Sequence, residues 1–294
     1  MRPRQILPGA TYLVTRRCTQ RQFLLTPSSR KYVDAFLYCL AYASSKTGVD
    51  IYAVVVMGNH YHIVVTDPGG VIPVFAEFLN KLVAKCMNAM RGRWENFWAS
   101  EPVSYVRLLD DDAIVREIAY TLCNPVHAGL VRCGDDWPGL RLGRPGTYQV
   151  QRPKKFFRQQ GVMPESVALE ITTPPLQGMS GREAQRHIDQ AVKAREEAER
   201  TRILEAGRTF LGARAVMQQD PFRSPLTREK RRGLSPRVAG LNKWLRIEAV
   251  AQCADFVRQY REALSRWCNN AREVIFPLGT YLMRVRHFVR CAQA

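Results

Sequence analysis

Residues 51–66 read IYAVVVMGNHYHIVVT, and the fold follows from this stretch. Two nearly continuous β-branched runs, 51–57 and 60–66, are joined by Gly58-Asn59, so the pair reads as a hairpin of buried strands. Side chains alternate along a strand, which sends His60 and His62 to one face and Tyr61 to the other. The two imidazoles can therefore share one ion; neutral imidazole suits manganese, zinc, cobalt or nickel, and such an ion beside a phosphate acts as a Lewis acid.

Upstream, residues 11–15 are β-branched and aromatic after the Pro8-Gly9 break and predict a first strand. A helix follows from Ser28 or Ser29 as cap, with Val33, Phe36, Leu37 and Leu40 at helical spacing and Gly48 as its stop. Downstream, residues 74–90 carry the buried stripe Phe75, Phe78, Leu79, Leu82 and Cys86 of a second helix, and 103–108 form a strand. A third helix starts near Asp110 or Asp111 and is expected to stop at Asn124, because proline disfavours helical geometry in the residue before it. The order β-α-β-β-α-β-α is a split β-α-β arrangement. It predicts an α+β, ferredoxin-like or RRM-like antiparallel sheet, with helices on one face and the other free for a ligand.

After this unit, taken as residues 1–150, Pro153, Pro164, Pro174, Pro175, Gly178 and Gly181 mark residues 151–180 as a linker. Residues 181–294 read as a basic, mainly helical region. It holds a charged helix over 181–204 and a longer one over 241–267, whose Cys253, Val257, Tyr260, Leu264 and Trp267 form a packing seam.

Lys and Arg total 44 against 26 Asp and Glu, most of the basic residues are Arg, and the pI is near 10.0. Guanidinium pairs bidentately with phosphate and releases its counterions, so the expected partner is nucleic acid. Residues 1–150 hold 17 basic and 12 acidic groups, and residues 151–294 hold 27 and 14, so the second part carries most of the field. Arg16, Arg17, Arg21, Lys154, Lys155 and Arg158 are candidates for contact with a DNA backbone. Eight scattered cysteines without a C-x-x-C pair point to a reduced, intracellular setting, and the start of the chain lacks the apolar core of a signal peptide. Charges interrupt every long apolar stretch, so no membrane span is expected. The setting these features predict is cytoplasmic and nucleoid-associated.

The third helix adds a hydroxyl. At 100° per residue, Ile114, Val115, Ile118 and Leu122 cluster on one face, and Tyr120 falls opposite, with Arg116, Glu117 and Asn124 on its side.

MGNHYHIVV (57–65) resembles the His-hydrophobic-His signature of the HUH single-strand nucleases, and YTLCNPVHAGLV (120–131) resembles the nucleophile segment of the REP-associated tyrosine transposases. The resemblance covers about residues 8–150. FPLGTY (276–281) is more weakly similar to the tail of longer members. The chain has Gly58 where the family commonly has proline, and His127 where it commonly has arginine. The resemblance implies that Tyr120 is a nucleophile, that His60 and His62 bind a divalent magnesium or manganese ion, and that Asn124 is its third protein ligand. It further implies cleavage and rejoining of single-stranded DNA, hairpin or palindromic, through a 5′-phosphotyrosine, by a monomer or homodimer. The rival expectation is a non-catalytic, RRM-like single-stranded DNA- or RNA-binding regulator, which stacks bases on an open sheet face. A water-using metal hydrolase lacks an acidic cluster beside the histidines.

Overall fold

The hairpin forms the middle of the sheet. β2 (Asp50–Val56) and β3 (His60–Asp67) pair antiparallel, and the Met57 N–H donates to the His60 carbonyl across the turn at 2.8 Å. β1 (Ala10–Arg17) flanks β3, with Thr15 opposite His62 and Arg17 opposite His60, and β4 (Ser104–Leu108) pairs with the far side of β1. The computed structural model describes residues 3–154, 163–226 and 236–293. With α1 (Arg30–Thr47), α2 (Ile72–Met90) and α3 (Asp111–His127), these strands complete the expected β-α-β-β-α-β-α order.

α1 and α2 lie on the face lined by Tyr12, Val14, Tyr61, Ile63 and Val65. The start of α2 is tied to the end of β3. The Asp67 carboxylate, fully buried, accepts from the Val71 and Ile72 N–H groups at 2.8 and 2.7 Å. A carboxylate in that position satisfies orphan donors and complements the helix dipole.

The opposite face is not left free. Ala113, Val115, Ile118, Ala119 and Leu122 of α3 pack on Leu13, Tyr52, Ala53, Val64 and Leu108. An amphipathic helix must bury its stripe, and the bare sheet face offers the area. α3 also runs through Pro125 to His127 instead of stopping at Asn124. The proline sits in the last turn, where Val126 is anchored in a buried cluster with Val55, Met57 and Trp137. That burial outweighs the local preference of the residue before proline. Gly129, at φ 72°, then ends the helix in the left-handed conformation.

The stretch read as a linker contains a strand. β7 (Ser166–Ile171) alternates exposed and buried residues, pairs antiparallel with β6 (Gly146–Gln151), and meets β2 in parallel at Ile51 and Ile171. Val167, Leu169 and Ile171 supply the period-two pattern between the prolines. With β5 (Arg141–Leu142), which pairs with β2, and β8 (Val238–Ala239) beside β4, the sheet has eight strands, mostly antiparallel.

Helices beyond the sheet return to it. α4 (Gly181–Glu205) opens with a reciprocal capping box between Ser180 and Glu183, and buries Ala184, Ile188 and Val192 against α3. The short α5 (Ala213–Met217) places Val216 beneath Val126 and Trp137. α6 (Lys243–Cys268) uses the second half of its expected seam, Tyr260, Leu264 and Trp267, to pack on Phe276 and on Met283 of α7 (Leu282–His287). The 276–281 tail reaches the N-terminal segment, where the Ile6 N–H donates to the Gly279 carbonyl at 3.0 Å. All eight cysteines are free, and among the described residues no helix is long and apolar enough to cross a membrane.

Candidate active site

β3 delivers His60 and His62 to the face covered by α3, as strand alternation predicts. Their ring centroids are 4.9 Å apart and the planes are nearly perpendicular. Each ring is held through Nδ1: His60 Nδ1 lies 2.7 Å from Asn59 Oδ1, and His62 Nδ1 lies 3.0 Å from Thr15 Oγ1. The Asn59 amide nitrogen donates to the Arg21 carbonyl at 3.0 Å, which fixes its oxygen toward His60. An oxygen there can only accept, so His60 carries its proton on Nδ1 and its lone pair on Nε2. Outer partners of this kind orient the histidines that bind metals.

His62 is buried, with 7% of its surface exposed, and burial, then the neighbouring His60 and Arg17 charges, hold its pKa well below the usual histidine value. It is therefore a neutral imidazole at pH 7, the form that donates a lone pair.

α3 brings Tyr120 to the pair. The rings of His62 and Tyr120 lie 5.4 Å apart, edge to face. Asn124, one turn on and almost fully buried, lies beside the phenol and favours its ionised form. Burial raises the Tyr120 pKa above its ordinary value, against the lowering influence of Asn124; Glu117 and Glu199 raise it further, and Arg195 opposes them. The phenol is half-buried among polar groups, not sealed in hydrocarbon.

Three residues absent from the sequence-derived set complete the surroundings. The His127 ring lies 6.1 Å from that of Tyr120, and the Arg195 guanidinium carbon is 5.2 Å from the Tyr120 ring centroid. Glu199 joins them: its carboxylate lies 2.8 Å from His127 Nδ1, in an off-linear approach, 2.7 Å from Arg202 Nε and 3.9 Å from Arg195. Burial works against ionising Glu199, but the Arg202 hydrogen bond and the neighbouring His127 prevail and hold its carboxyl below the ordinary range. Arg195 and Glu199 come from α4, in a segment read from the sequence only as a charged helix. The helical spacing of Ala184, Ile188 and Val192 was the one signal that α4 has a packed side.

The candidate DNA contacts separate. Arg17 is exposed on the histidine face, and the Arg21 backbone supports Asn59. Arg16 turns to the other face, where its guanidinium donates to the Ala99 carbonyl at 3.1 Å. Lys154 lies beyond the β6 edge, lining a cavity of about 790 Å³ with Arg30, Gln149 and Arg152. Lys155 and Arg158 fall outside the described residues.

Two imidazoles with fixed Nδ1 partners and a buried amide suit a divalent cation by their chemistry, although no group of three or more His, Cys, Asp or Glu side chains able to hold a metal occurs among the described residues. Among solved structures, the chain is similar to a REP-associated tyrosine transposase bound to a REP hairpin, at 20% identity over 46% of this chain and 77% of that one, with a TM-score of 0.38. It is also similar to a candidate transposase from Deinococcus radiodurans, at 17% identity over 33% of this chain and 76% of that one, with a TM-score of 0.27. No family model and no curated protein matches the chain.

Proposed function

We propose that the protein is a single-strand DNA endonuclease and transesterase of the transposase type, with Tyr120 as nucleophile. The observation that carries this reading is the edge-to-face approach of Tyr120 to His62, within a pair of imidazoles whose Nδ1 atoms are both anchored. A phenol buried for core packing alone needs no such neighbours.

His60 and His62 would hold a divalent cation, magnesium or manganese, through Nε2. The buried Asn124 would offer its amide oxygen as a third ligand. When bound, such an ion acts as a Lewis acid on the non-bridging oxygens of a phosphodiester. The protein does the rest. α3 fixes the phenol for in-line attack, and the Asn124 amide stabilises the phenolate as its proton leaves. The Tyr120 oxygen forms a bond to phosphorus, the bond from phosphorus to the 3′-oxygen breaks, and the departing oxygen ends as a 3′-hydroxyl carrying the phenol's proton. Phosphodiester energy is conserved in the 5′-phosphotyrosine, so a second 3′-hydroxyl can reverse the step and rejoin strands.

The substrate class is single-stranded DNA. The net charge of +18 favours a polyanion, and Arg17 extends the positive surface beside His60. A non-catalytic module that stacks bases on the sheet finds less support, because α3 covers that face.

The experiment is incubation of the full-length protein with labelled hairpin DNA bearing single-stranded flanks, with manganese or magnesium. A denaturation-resistant adduct is expected, mapped to Tyr120, absent with chelator and absent in Tyr120→Phe. Failure to form it with either metal, across a panel of hairpins, overturns the reading.

A further inference from the structure

Arg195 carries an unexplained donor. Its Nε is buried and has no hydrogen-bond partner, whereas buried polar groups in folded proteins are nearly always paired. Its nearest acid does not account for it. Glu199 accepts from Arg202 Nε at 2.7 Å, lies 2.8 Å from His127 Nδ1 and stands 3.9 Å from Arg195. Glu196, the next carboxylate on α4, accepts from Gly134 N–H and Arg141, each at 3.2 Å. Val192 and Glu196 are buried on either side of Arg195 in sequence, so its backbone position is fixed by packing. The result is a partly buried cation beside Tyr120, with donor capacity that its own acids do not consume.

We propose that Arg195 is a catalytic residue that grips the scissile phosphodiester. This rests on the reading of Tyr120 as nucleophile. A guanidinium is planar, permanently charged, and matches two phosphate oxygens at once. As the Tyr120 oxygen bonds to phosphorus and the 3′-oxygen departs, charge grows on the non-bridging oxygens, and a cation already in place stabilises it without reorganisation. Arg195 gains and loses no proton in the step. α4 is thus part of the reaction centre, although it lies outside the segment that carries the motifs.

The test measures the rate of adduct formation by the full-length protein on hairpin DNA with manganese. Arg195→Ala is expected to slow it roughly 100-fold or more, the effect typical of removing one such donor, with DNA affinity changed far less than the rate. Arg195→Lys retains the charge without the fork and falls between. Guanidinium ion at sub-denaturing concentration is expected to rescue Arg195→Ala and not Tyr120→Phe, a response that a merely structural role does not give. Arg182→Ala, on the exposed start of α4, is the control. An adduct rate in Arg195→Ala equal to wild type overturns the assignment. So does a slow variant that guanidinium fails to rescue and whose melting temperature has fallen in Arg195→Lys as well. Absence of any wild-type adduct instead removes the nucleophile reading, and the role of Arg195 with it.

Discussion

Asn59 accepts a hydrogen bond from His60, Nδ1 to Oδ1 at 2.7 Å, and thereby decides which nitrogen of that imidazole bears a lone pair. The turn residue of the hairpin sets the chemistry of the strand residue that follows it. Asn59→Ala frees the ring to change tautomer and rotate. Manganese affinity is expected to fall between 10- and 100-fold, about the usual effect of losing an outer-shell partner. Calorimetric titration of wild type and variant measures this, and equal affinities would show that the Asn59 contact has no bearing on the ion.

The depressed pKa of His62 predicts an acid-sensitive fold. Its imidazole stays neutral when folded but protonates in the unfolded chain near pH 6.5, so the unfolded state binds more protons below that pH. Stability present above about pH 6.5 is then lost as pH falls toward the folded-state value, at up to about 1.4 kcal/mol per pH unit for one proton. Urea denaturation of metal-free protein at pH 7.5 and 5.5 should show this slope, and His62→Gln should flatten it. An unchanged slope in the variant would assign the acid sensitivity to other groups.

Glu196 locks α4 to the loop after α3. It is buried and accepts from the Gly134 N–H and from Arg141. Glu196→Ala leaves both donors short of a partner, although Arg141 keeps Asp135 at 2.9 Å. A loss of about 2 kcal/mol in unfolding free energy is expected, below the full cost of breaking a buried pair because Arg141 retains Asp135 and the Leu122 carbonyl. Chemical denaturation checks it; a variant as stable as wild type would mean that α4 is held by its apolar stripe alone.

Tyr61 tests the division between the two faces of β3. Its hydroxyl donates to Asn80 Oδ1 at 3.0 Å on the α1–α2 side, away from the histidine pair. Tyr61→Phe should cost about 1–2 kcal/mol of stability by stranding a buried acceptor, while the rate of adduct formation on hairpin DNA stays at the wild-type level. A drop in that rate at a temperature where the variant is fully folded would mean that the faces communicate.

The hairpin, the shared face of His60 and His62, the three helices and the polar side of α3 that holds Tyr120 were all legible in the chain, because each rests on periodicity within about 20 residues. Three things were not. α3 continues through Pro125 because Val126 is buried by Val55, Met57 and Trp137, and burial of that kind overrides a local preference. β7 pairs with β6 and reaches β2, more than 100 residues earlier, which no local pattern reports. The roof of the site was hidden for the same reason. In the sequence Arg195 and Glu199 are two charges among many on a charged helix, and only the packing of Ala184, Ile188 and Val192 into α3 turns them toward Tyr120 and His127. Strand alternation and helical angle, both fixed by backbone geometry, were enough to set the direction of His60, His62 and Tyr120. Which distant charges gather around the phenol was decided by the burial of apolar stripes, a property of the whole fold.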